Sequence, residues 1–200
     1  MAGIWRPMNI ETSSVIPVAV IAAIALFFLR ESIDSFRRYR ANKLKLSAIK
    51  SLLSAECERN NFSIDRMKMA ILDMESAIEY GFTINIENPF TSRERLQIIK
   101  PSGSVSGFPI PKVHVANLEK FLFEAATLSS SLFSVMRDAQ DALTEIQHVR
   151  DGLVTYPVED LQYLDGFLGW AARELEDHIE PIRTLYFYIE NDPLTKTRVR

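Results

Sequence analysis

"SSVIPVAVIAAIALFFLRESIDSFRRYRANKLK", residues 13–45, is apolar for its first half and abruptly basic after it. None of the seventeen residues from 13 to 29 carries a charge. As a helix they rise about 25 Å, short of the roughly 30 Å of bilayer hydrocarbon but sufficient with slight thinning. Pro17 lies near the start, where a missing N–H costs a helix least, and Ser13 or Ser14 is placed to cap the first turn. A cleaved export signal carries its charge before the apolar core and small residues after it, whereas Phe27, Phe28, Leu29 and Arg30 occupy that place here. A soluble core helix apolar on all faces would need cover on all faces. The segment is therefore expected to be a transmembrane helix over 13–29, with Trp5 at the headgroup level.

Direction follows from the flanking charges. The only basic groups before the segment are Arg6 and the α-amino group, while Arg30, Arg37, Arg38, Arg40, Lys43 and Lys45 follow it closely. The positive-inside rule predicts a short extracytoplasmic N-terminus over 1–12 and a cytoplasmic domain over 30–190, in an inner or plasma membrane. The sequon Asn61-Phe62-Ser63 would then never meet a glycosylation enzyme. For the basic collar, lipid headgroups are the expected contact, since each base near an anionic surface contributes about 1 kcal/mol. Nucleic acid would use the same charges and Tyr39. However, residues 51–200 carry a net charge of −8, and that field repels phosphates. An acidic patch on a partner protein is the third reading.

The composition suits one folded domain plus an appendage: 200 residues, 47% of them hydrophobic, can bury a sizeable core. Cys57 is the only cysteine, so no disulfide framework is available within the chain. Glu56 and Glu58 beside it raise a thiol pKa and make it a poor nucleophile.

Past the apolar segment, Ile33, Phe36, Leu46, Ile49, Leu52 and Leu53 keep helical spacing. "NNFS", residues 60–63, predicts a break, with Ser63 capping a second helix whose seam is Ile64, Met67, Ile71, Met74 and Ile78 and which Gly81 ends. Over 82–112 the period changes. "FTINIE" and "ERLQIIK" predict a small β-hairpin, and "KPSGSVSGFPIPK", with three prolines and two glycines, an irregular connector. Gly103 and Gly107 have the spacing of a nucleophile elbow, but Val105 stands where the serine is needed; no phosphate-loop ending is present either.

Two long patterns complete the chain, one from Phe121 to Leu153 and one from Leu161 to Ile189, joined by a turn over 152–157. So short a connection makes them antiparallel neighbours. The expected architecture is mainly α: a single transmembrane helix continuing into a four-helix antiparallel bundle with a small inserted hairpin, Pro181 kinking the last helix, and a flexible tail over 191–200.

Glu145 and His148 form a Glu-x-x-His pair, the unit with which ferritin-like bundles hold metal. Glu174 and His178 are four apart instead of three, and the antiparallel register sets His178 more than a turn from the first pair. No metal or cofactor is expected. His148 is expected on a solvated flank, His114 has no evident partner, and His178 occupies a seam position where polar residues fix register or partner choice. Met67, Met69, Met74, Phe167 and Trp170 read as packing surface. In "LYFYI" Tyr186, Phe187 and Tyr188 point in successive directions around a helix, so at least one should be exposed. With His178 they are the candidates for a partner interface.

With no catalytic constellation, the expected function is that of a membrane-anchored scaffold or regulatory subunit without enzymatic activity. It would bind another protein or a second copy of itself by raising local concentration at the bilayer. No small-molecule substrate is evident. The alternatives are a channel-forming effector that oligomerises through its helices, and a bundle metalloenzyme using Glu145 and His148.

Overall fold

The computed structural model describes residues 17–91 and 93–191. The chain is mainly helical with one small antiparallel sheet, and divides into an N-terminal unit ending at Leu44 and a body beginning at Lys45. Helix α1, Val18–Glu79, contributes to both.

In the N-terminal unit every described residue except Asp34 is exposed, including Val18, Ile21, Ile24, Phe27, Phe28 and Leu29. Among the described residues no helix is long and apolar enough to cross a membrane. The described part of the apolar run, 17–29, supplies about 20 Å of helix, and Arg30, Glu31 and Asp34 then interrupt it. Residues 13–16, Trp5 and the tail from 192 lie outside the described residues.

The body is built from four antiparallel helical runs, though not the four expected. Helix α2, Ala116–Leu128, descends along α1, so that Leu118 meets Glu56 and Glu124 meets Lys45. Helix α3, Ser130–Glu159, runs back. A 3-10 turn, Leu161–Tyr163, leads into α4, Leu164–Asp177, and α5, Ile179–Glu190, which descend together. Lys68 pairs with Glu176, and Tyr186 donates to Glu58 at 3.2 Å, so this last run is antiparallel to α1. Leu53, Ile64, Met67, Ile71 and Met74 of α1, Leu132, Met136, Leu143, Ile146 and Leu153 of α3, and Leu164, Leu168, Leu175, Ile182 and Leu185 of the last run form one core.

Two expected boundaries are lost, an unexpected one appears, and the interruption expected at Pro181 is displaced. The break at 60–63 does not occur: α1 continues through it with Asn60, Asn61 and Ser63 buried. Asn and Ser weaken helices by competing for nearby backbone, but here Asn60 and Ser63 bond the segment 112–114 instead. A boundary appears at Ser129, which is extended (φ −161°, ψ 108°) and accepts from the Leu132 N–H at 3.3 Å as the cap of α3. The turn at 152–157 is helical; α3 runs on with Pro157 inside it, and the chain turns at Asp160. Gly152 is a packing position: a Cβ there would lie 2.3 Å from Phe167 Cζ. The kink expected at Pro181 falls three residues earlier, at His178 (φ −96°, ψ 0°). A proline ring clashes with the carbonyl four residues before it, here Asp177, and α4 ends at that residue.

The irregular connector is also corrected, because it supplies a third strand. β1, Thr83–Glu87, pairs with β2, Arg95–Ile99, which pairs with β3, Val105–Pro109. Pro101, Ser102 and Gly103 form the tight loop between β2 and β3; Gly103 N–H bonds Lys100 O at 2.9 Å and Gly103 takes φ +82°. Gly107 lets β3 approach β2, since a Cβ there would sit 2.1 Å from the Leu96 carbonyl oxygen.

Candidate functional site

In the N-terminal unit the apolar run is exposed around its whole circumference, and a ring of cations follows it. At about 100° per residue, Arg30, Arg37, Arg38, Arg40 and Lys43 spread over most of the helix circumference. A helix lying in an interface carries its bases along one stripe; this one does not. Arg30 and Arg37 reach Asp34 at 4.0 and 3.8 Å, exposed pairs that contribute little. Arg38, Arg40 and Lys43 make no ion pair with a described residue. Lys45 is instead drawn to Glu124 in the body.

Three polar side chains of α1, at 56, 60 and 63, share one face and fix the chain that enters α2. Ser63 donates to the Lys112 carbonyl at 2.8 Å. Asn60 donates to the His114 carbonyl at 2.6 Å and accepts its N–H at 2.7 Å. The buried Glu56 carboxylate accepts the Asn117 and Leu118 N–H groups at 2.8 and 3.1 Å. Val115, at the cap position of α2, has no side-chain acceptor, so Glu56 satisfies that helix end from another element. The role is positional. Burial first, then Glu56 and Glu58, pushes the Cys57 thiol up to about 12, so its thiolate is scarce at neutral pH.

Glu94, just before β2, and Arg150 of α3 form a second buried contact, 2.7 Å between Oε2 and Nη2. Arg150 Nη1 reaches Asp151 at 3.1 Å, and its Nε is buried without a hydrogen-bond partner. This pair joins the sheet to the helical body.

His148 Nδ1 lies 3.3 Å from Glu145, and His178 Nε2 lies 3.1 Å from Glu174. The first pair is on an exposed flank of α3 and the second is half-buried at the α4–α5 junction. Among the described residues no three His, Cys, Asp or Glu side chains gather as metal ligands.

Of the aromatic triplet, Phe187 is exposed while Tyr186 and Tyr188 are half-buried and used within the chain. Tyr188 OH lies 2.9 Å from Ser131 Oγ, and Lys50 Nζ stands 4.7 Å from the ring centroid. Sequence patterning missed a different aromatic cluster. Tyr156, Asp160, Tyr163, Gly166, Phe167 and Trp170 line an open cavity of about 660 Å³ where α3 turns into α4. Its sequence signal is the spacing of Tyr156, Tyr163, Phe167 and Trp170 together with a run from 151 to 172 that has no Lys or Arg. Comparison with family models, curated proteins and solved structures finds no match to this chain. The functional reading therefore rests on its own residues.

Proposed function

We propose that the chain is a membrane-tethered subunit whose helical body meets a protein partner on the cytoplasmic side of the bilayer. One observation carries it: an apolar helical segment exposed on every face is followed directly by a ring of cations. Exposed apolar surface of that extent marks an interaction site. Hydrocarbon covers all faces of a helix at once, and bases beneath it suit anionic headgroups. The transmembrane reading needs residues 13–16 to complete the span. In the body, Phe123 and Phe187 are 84% and 52% exposed and are the anchors this reading assigns to a partner.

The test uses the full-length chain expressed in cells. A membrane-embedded segment keeps the chain in the pellet after alkaline carbonate extraction, and a reporter at the C-terminus faces the cytoplasm. Release into the supernatant, or an outward-facing reporter, would defeat the proposal.

A further inference from the structure

The cavity at the α3–α4 turn has the chemistry of a cation receptor. Tyr156 and Phe167 stack with centroids 4.4 Å apart and planes inclined 30°, and Trp170 lies 5.5 Å from Phe167. Phe167 is 9% exposed and seated against Gly152, so the inner wall is fixed, while Tyr163, 60% exposed, stands at the mouth. The backbone of Asp160 binds both tyrosines: its N–H donates to Tyr156 O at 3.1 Å and its carbonyl accepts from Tyr163 N–H at 2.9 Å. The Asp160 carboxylate itself is exposed and has no hydrogen-bond or ion-pair partner among the described residues.

From 151 to 172 the chain carries Asp151, Glu159, Asp160 and Asp165 against no Lys or Arg. Asp151 is engaged by Gln147 and Arg150, which leaves Asp160 as the acid lining the cavity. Aromatic faces attract a cation through their quadrupole, most strongly when the cation is weakly hydrated and apolar at its surface. A compact ammonium or metal ion would keep its water, and an anion would find no basic group in the lining. The geometry points to a binding site for the trimethylammonium group of a choline-type small molecule, its methyl groups against Tyr156, Trp170 and Tyr163, with Phe167 as the wall behind them, and its charge beside Asp160.

Trp170 supplies the readout. In full-length protein held in a maltoside detergent, Trp5→Phe leaves Trp170 as the only tryptophan. Choline and tetramethylammonium should then shift its fluorescence saturably, and the neutral isostere 3,3-dimethylbutanol should bind at least about tenfold more weakly. Asp160→Asn should weaken choline several-fold, and Tyr163→Leu, at an exposed position that leaves the core untouched, should weaken it further. Phosphocholine, bringing negative charge beside Asp160, should bind more weakly than choline. Equal binding of the neutral isostere, insensitivity to both substitutions, or no saturable shift would overturn the assignment. Phosphocholine binding as tightly as choline would also overturn it, by transferring the site to choline-bearing headgroups.

Discussion

His114 shows how a side chain with no evident partner acquires one through its backbone. Asn60 holds its N–H and carbonyl, while burial first, then Arg59 and also Lys112, against the pull of Glu56, lowers its imidazole below the ordinary 6.5. A base with a depressed folded pKa binds fewer protons folded than unfolded, so its contribution is present above about pH 6.5 and is lost as pH falls through the folded value. The denaturation midpoint should therefore fall between about pH 7.5 and 5.5, and His114→Gln should reduce that fall while leaving the backbone clamp intact. An unchanged pH profile would refute it. Glu56 carries a larger cost. Glu56→Ala leaves two N–H groups of α2 without their acceptor and should cost about 2 kcal/mol in urea unfolding, with Glu56→Gln recovering part of it. Neither role was visible in the sequence, where Glu56 stands only as a neighbour of Cys57.

At the scale of elements, the existence of helices was far more legible than their ends. Of the expected seam, Ile64, Met67, Ile71 and Met74 are buried as spaced, because a helical period survives any choice of partner, while Ile78, near the end of α1, is 38% exposed. Leu161, placed on a seam, is instead 59% exposed in the 3-10 turn, because the register shifted once α3 ran through Pro157. The missing break at Asn60 and the added one at Ser129 have a common cause. A polar residue breaks or continues a helix according to which hydrogen-bond partner reaches it: at Ser129 that partner is the Leu132 N–H three residues on, and at Asn60 it is the backbone of His114, 54 residues away. β3 was hidden for a related reason: with Gly107 and Pro109 it lacks apolar alternation, and its pairing with β2 supplies what its side chains do not. The Glu94–Arg150 contact joins sheet to helix and can be tested as a pair. Removing either partner alone, as Glu94→Met or Arg150→Met, should destabilise by about 3–5 kcal/mol. The double variant should recover most of that loss, and strictly additive losses would show the two side chains to be independent.

For the whole molecule, the collar is the lever. If its bases set orientation, replacing Arg37, Arg38, Arg40 and Lys43 with Glu should move a C-terminal reporter outward in a measurable fraction of chains, while Lys45→Glu should act on the body through lost pairing with Glu124. An orientation indifferent to all four changes would remove the collar from topology. The exposed apolar run before the collar is visible in the sequence because it depends on composition alone, whereas among the described residues no helix is long and apolar enough to cross a membrane. The aromatic cavity was not legible there, since a turn between two helices brings its residues together.

The docking of 112–118 on α1 also bears on the order in which the chain is made. Ser63, Asn60 and Glu56 emerge from the ribosome 49, 54 and 61 residues before the groups that satisfy them. Until the later segment arrives, the middle of α1 holds polar groups with nothing to bind and a weak helical preference of its own. Amide protection around Asn60 should therefore arise late, together with that of Leu118, in pulse-labelled refolding.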